Sequence, residues 1–243
     1  MSRFPEYSQM SAAELQEKAR KSAEQAKKKG RKYEPVISHT RSGSVCTTWW
    51  GKAWCDNLER YSDYENRLPR GKRYVRNGAL LDLKIRQGSV TARVQGSRRA
   101  PYTVNIQIDP LSEERVENLM ASTSRKIGSL EALAKGEFPE ELKEAFLKPG
   151  GLFPSPREIH ISCSCPDWAY VCKHVACAMY GIGVKLDENP FYFFELRGID
   201  TSSLIRKSVE NKVQALLENA DKPSERIIDE SEIESLFLLD LES

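Results

Sequence analysis

The sequence predicts an α+β protein: an antiparallel β-meander with packed helices, followed by a small strand–knuckle–helix module. Three observations carry that prediction. Residues 79–108 hold three runs in which apolar and polar side chains alternate between turn residues, the period of strands. The flanking segments instead repeat apolar residues at helical spacing. Near residue 165, three cysteines and a histidine lie between a strand-like run and a helix-like one.

Ser11 to Lys29 reads as a helix, with Ser11 and Glu14 at capping-box spacing and Gly30 as its stop. Its apolar positions, Leu15, Ala19, Ala23 and Ala26, are small and bury little. Lys27, Lys28, Lys29, Arg31 and Lys32 extend it as a basic arm that is expected either to remain solvated or to order on a partner. Thr48 to Tyr61 reads as a second helix, whose Trp50, Trp54, Leu58 and Tyr61 form a core stripe. Arg70, Lys72, Arg73 and Arg76 then form a basic approach to the first strand.

In that strand Ala79, Leu81, Leu83 and Ile85 face the core and alternate with Leu80, Asp82, Lys84 and Arg86. Gln87-Gly88-Ser89 turns the chain. Val90, Ala92 and Val94 alternate with Thr91, Arg93 and Gln95, and Tyr102, Val104, Ile106 and Ile108 share the buried face of a third strand. The polar face therefore carries Lys84, Arg86 and Arg93, with Arg98 and Arg99 in the next loop. Asp109-Pro110 is expected to open a helix whose apolar face includes Val116, Leu119, Met120, Ile127, Leu130 and Leu133. Residues 139–147 suggest a short helix, and 148–156 a Gly/Pro linker.

Ile159, Ile161, Cys163 and Cys165 share one strand face, with His160, Ser162 and Ser164 on the other. Pro166 reverses the chain, and the loop to Val171 returns Cys172 and His174 to the two thiols. His174 is expected in the first turn of a helix that Gly181 and Gly183 terminate. Three thiolates and one imidazole suit a single tetrahedral zinc ion. Four protein ligands leave it no open position, so the zinc is expected to be structural and the chain to be no enzyme. Cys177, one helical turn past His174, is a candidate neighbour or alternative ligand. His160 points away, and Cys46 and Cys55 read as small buried hydrophobes. A thiol enzyme built on Cys172 and His174 is disfavoured, because residues two apart diverge on most backbones.

The array Cys163-x-Cys165, then Cys172-x-His174, with an aromatic-containing loop and a following apolar helix, resembles the SWIM-type zinc finger. The resemblance covers residues 154–198. It implies Cys163, Cys165, Cys172 and His174 as zinc ligands, one for one. It also implies binding of DNA or protein, and a partner of the Swi2/Snf2 helicase type.

Charge divides the chain. Residues 1–100 hold 22 Lys+Arg against 10 Asp+Glu, and residues 101–243 hold 15 against 25. The basic half calls for an anionic partner, nucleic acid with DNA favoured, and Lys84, Arg86, Arg93, Arg98, Arg99, Arg73 and Arg76 are its candidate contacts. A protein adaptor serving a helicase without touching nucleic acid is the second reading. Phe191 to Phe194 read as a cover for the module's helix. The acidic, leucine-rich residues 227–243 suit docking on a partner or folding back. Four parts follow: a basic helical arm (1–35), an α+β domain with a basic sheet face (36–150), the zinc module (151–200) and an acidic helical tail (201–243). No apolar run approaches the roughly 20 residues that span a bilayer, so a cytoplasmic protein without membrane or small-molecule partner is expected.

Overall fold

The computed structural model describes residues 10–60, 67–124, 143, 147, 148, 150–167, 169–200 and 217. Its elements are α1 (Ala12–Lys28), α2 (Trp49–Arg60), α3 (Leu68–Arg76), β1 (Leu80–Arg86), β2 (Ser89–Val94), β3 (Tyr102–Ile108), α4 (Glu113–Ser124), β4 (Ile159–Cys163), α5 (Lys173–Glu188) and α6 (Tyr192–Leu196). The class is α+β, with one antiparallel sheet in the order β1-β2-β3-β4. The strand of the cysteine-rich segment is thus the fourth strand of the meander's own sheet.

Register sorts the two faces. Leu83, Ala92, Val104 and Cys163 are aligned across the four strands, as are Ile85, Val90, Ile106 and Ile161. This apolar face packs against α5, which also contacts α2 and α3. The opposite face aligns Lys84, Thr91, Asn105 and Ser162, all exposed. One buried and one solvated face is the usual condition of an antiparallel sheet.

α1 has the capping box that its sequence announces: Glu14 N–H donates to Ser11 Oγ, and Ser11 N–H to the Glu14 carboxylate at 2.7 Å. It is packed on its own chain rather than held off as an arm. Leu15 is fully buried, and the Ser22 hydroxyl donates to Gln95 Oε1 at 2.6 Å. In α2, Trp50 and Trp54 donate their indole N–H groups to Leu186 and Met179 carbonyls of α5. Those bonds satisfy two buried indole N–H groups, and the Tyr180 hydroxyl of α5 donates to Glu59 of α2 at 2.9 Å.

The structure departs from or adds to these expectations at four points. Strict alternation in β1 fails near its start, where an irregularity between Leu80 and Asp82 leaves Leu80, Leu81, Asp82 and Leu83 all buried. A bulge resets parity, so Leu80 and Leu83 both reach Gly181 of α5. The basic approach to β1 is helix α3, with Pro69 in its first turn and Leu68, Gly71, Tyr74 and Val75 buried. Gly181 and Gly183 do not end α5, which continues to Glu188. They are contact points: a Cβ at 181 would run into the Leu80 side chain, and one at 183 would lie 2.8 Å from Cys46 Sγ. α4 starts at Glu113 rather than at Asp109, whose carboxylate meets His160 instead.

Phe193 and Phe194 are buried, and α6 lies against β1 and α5, with Phe193 5.1 Å from Phe153 and 6.5 Å from Trp54 between ring centres. That is the cover expected of them. Arg197, only 1% exposed, ties this corner together through Asp109 O at 2.9 Å and Glu158 Oε1 at 2.7 Å. Tyr61, Trp168, Ile127, Leu130, Leu133 and the acidic 227–243 segment lie outside the described residues.

Candidate metal centre

Cys163 ends β4, where it pairs in register with Val104. Ser164 N–H still donates to Thr103 O at 3.0 Å, after which the chain leaves the sheet. The knuckle is fixed at three points. Asp167 Oδ1 accepts from Ala169 N–H at 3.2 Å and from Arg67, the N-cap of α3, at 3.1 Å, and the Tyr170 hydroxyl donates to Ile159 O at 2.7 Å. The return segment ends at Cys172, the N-cap of α5, whose Sγ accepts from Val175 N–H at 3.5 Å. The helix start therefore aims backbone N–H dipoles at a sulfur, an arrangement that favours thiolate.

One donor atom each from Cys163, Cys165, Cys172 and His174 lies within 4.8 Å of all the others, the only such group among the described residues. Cys172 and His174 are buried, and Cys163 and Cys165 are half-buried. A tetrahedral ion with bonds near 2.3 Å to sulfur holds its ligands about 3.8 Å apart, so the widest pair needs to close by about 1 Å. The donor set and spacing fit one metal ion.

Electrostatics supports that fit. The Cys172 thiol is lowered to about 4, chiefly by its hydrogen bond with Cys163, with burial opposing and His174 and the Val175 N–H assisting. Cys163 is pushed up, first by that shared proton and then by burial. Burial also raises Cys165. Three close thiols cannot all ionise unaided, and a divalent cation removes that restriction. Backbone N–H groups of Cys165 and Asp167 already point at the Cys163 and Cys165 sulfurs, ready to stabilise thiolates.

His174 is held by rings. Tyr102 of β3 stacks on it at 4.2 Å, and Tyr74 of α3 meets it edge-on at 5.8 Å. Its Nδ1 lies 3.8 Å from Cys172 Sγ, while Nε2 is buried with no hydrogen-bond partner. Gly96 makes room for the ring: a Cβ there would approach both His174 Nε2 and Tyr102 Cε2 to 2.6 Å.

The remaining candidates divide. Cys177 is fully buried on α5 outside the cluster, and desolvation raises its thiol further. His160 faces the open side of the sheet, 3.0 Å from Asp109 Oδ1. Cys46 and Cys55 are buried with their sulfurs 3.5 Å apart. Lys84, Arg86 and Arg93 share the open sheet face, where Arg93 donates to Thr103 Oγ1. Arg98 and Arg99 lie in the loop beside the cluster. Arg73 and Arg76 belong to α3, which packs on α5 across the sheet from that face. Arg73 donates to Met10 O, and Arg76 binds Thr40 O at 2.9 Å and Gly43 O at 2.7 Å. The seven cations thus do not form one surface. Sequence reading put Tyr102 only on a buried strand face and gave Gly96, Tyr74 and Arg67 no role, because their place beside the cluster depends on tertiary contacts. Lys173, between two ligands, was in plain view.

The chain is similar to an uncharacterized protein of Mycobacterium tuberculosis, Rv2102, with 34% identity over 172 residues. The match takes in 70% of this chain and 62% of the relative, so the chain spans less than two thirds of the relative's length. No protein-family model matches the chain, and no solved structure does. Among the described residues no helix is long and apolar enough to cross a membrane.

Proposed function

We propose that this chain is a non-catalytic zinc protein that binds nucleic acid, with DNA favoured, as an accessory factor in repair, recombination or remodelling. The observation that carries the reading is the cluster itself. Four donors on a β-strand end, a knuckle and a helix start complete a tetrahedral shell, which is how zinc builds binding modules rather than hydrolytic centres. The SWIM-type spacing points the same way. The excess of 22 Lys+Arg over 10 Asp+Glu in residues 1–100 supplies the anion-binding half of the proposal.

The test is a binding titration of purified, metal-quantified protein against single- and double-stranded DNA and RNA at two salt concentrations. One zinc per chain, with binding that falls steeply as salt rises, is the expected result. One zinc without binding leaves the helicase adaptor as the better reading. Absence of stoichiometric zinc removes the basis of both.

A further inference from the structure

Three cations, Arg70, Lys173 and Arg98, stand at the rim of the cluster, and the seven sequence candidates include only Arg98. α3 crosses α5 where Gly71 meets Ala176: a Cβ at 71 would come within 2.6 Å of Ala176 Cβ and 2.9 Å of its carbonyl carbon. Backbones this close bring Arg70, beside Gly71, within electrostatic reach of Lys173, one turn before Ala176. Lys173 Nζ stands 5.9 Å from the Tyr74 ring centre, and Tyr74 meets His174 edge-on. On the other flank Arg98 lies 4.1 Å over Tyr102, which stacks on His174. Two cations are therefore seated on the two rings that enclose one metal ligand, and a third stands beside them.

None of the three has an ion-pair partner within 4 Å among the described residues, and Asp167, the acid that acts on Lys173 from a distance, is itself engaged by Arg67 at 3.1 Å. Neutralising the metal does not account for them. A divalent ion with three thiolates and a neutral imidazole carries a single negative charge, which one cation would balance. Like charges held close by a rigid helix crossing are unfavourable unless an anion joins them. Ring-seated cations are also positioned in advance, so less side-chain freedom is lost on contact.

We propose that Arg70, Lys173 and Arg98 form a docking site for the phosphodiester backbone of nucleic acid at the rim of the metal centre. This assignment rests on the nucleic-acid reading and names the surface that does the binding. The metal acts at a distance: it fixes His174, His174 fixes the two tyrosines, and the tyrosines fix the cations.

The experiment uses the full, zinc-loaded chain and short fluorescein-labelled DNA and RNA oligonucleotides, single- and double-stranded, at about 50 and 200 mM salt. Expected for Arg70→Gln with Lys173→Gln is a loss of about tenfold or more at the lower salt. The slope of log affinity against log salt should flatten by about 1.5, with zinc content unchanged. Arg98→Gln, in an exposed loop where folding is not at stake, should lose affinity in the same direction. The pair Lys84→Gln with Arg86→Gln, on the open sheet face, should lose less than the rim pair. The reverse order would overturn the rim site and leave the nucleic-acid reading standing. A rim pair that loses zinc in proportion to binding would also overturn it, since the cations would then serve the thiolates. Wild-type protein with no salt-sensitive binding to any probe would sink both proposals.

Discussion

Cys172 combines helix cap and candidate metal donor in one side chain, and the second depends on the first. Its sulfur accepts the Val175 N–H and shares a proton with Cys163, which favours the thiolate at Cys172 and the thiol at Cys163, and burial favours the thiol at Cys165. Loading zinc into metal-free protein at pH 7 should therefore release about two protons per ion rather than three. Calorimetric titrations in buffers of different ionisation heat measure that number, and release of three would contradict the ordering of the thiols. The proton competition also fixes the sign with pH: affinity falls as pH falls, because the two raised thiols must be emptied to bind.

At the scale of elements, α5 is the hub, and its glycines carry the packing. An alanine at Gly181 would drive its methyl into the Leu80 side chain, with Leu83 Cδ1 3.1 Å away. Gly181→Ala should cost about 1–3 kcal/mol in denaturant unfolding despite alanine's better helix propensity. A gain in stability would mean that β1 yields more readily than its buried environment implies. The corner joining β4, α6 and the start of the α4 segment depends on buried Arg197 and its partner Glu158. Burial raises the Glu158 carboxyl, but hydrogen bonds from Arg197 and Ser155 outweigh it, and the net shift is downward. A depressed folded-state value gives stability that is complete above the ordinary carboxylate range and disappears as pH drops through the folded value. Glu158→Gln should then cost about 2–4 kcal/mol at pH 7, because Arg197 is left buried beside an uncharged partner. The gap between variant and wild type should shrink in acid, and a gap independent of pH down to about 3 would refute the ion pair's role.

For the molecule as a whole, the metal centre is embedded rather than appended. β4 is a strand of the same sheet as β1 to β3, and the described residues of Met1–Thr201 belong to one compact unit. Chelation, or Cys172→Ser, should accordingly lower the unfolding temperature of that unit in one transition, with no separate early melting of residues 159–188. Hydrogen exchange that opened only the knuckle would indicate that the sheet tolerates the loss. Much of this was legible beforehand. The capping box of α1, the in-out pattern of β2 and β3, the tryptophan stripe of α2 and the four metal donors are local patterns, written at spacings of two to four residues. They survive because the backbone's own periodicity decides them. The bulge at Leu80–Asp82, helix α3, the passage of α5 through two glycines and the packing of α1 were decided elsewhere. In each, a neighbour distant in sequence overrides a local preference: close backbone contact at Gly71 and Gly181, or burial of both faces at the start of β1. So the sequence by itself determined which atoms can hold the metal. Only the tertiary structure decided that His174 stands between Tyr102 and Tyr74, and which cations ring it, because stacking brings together residues from three elements that no spacing relates.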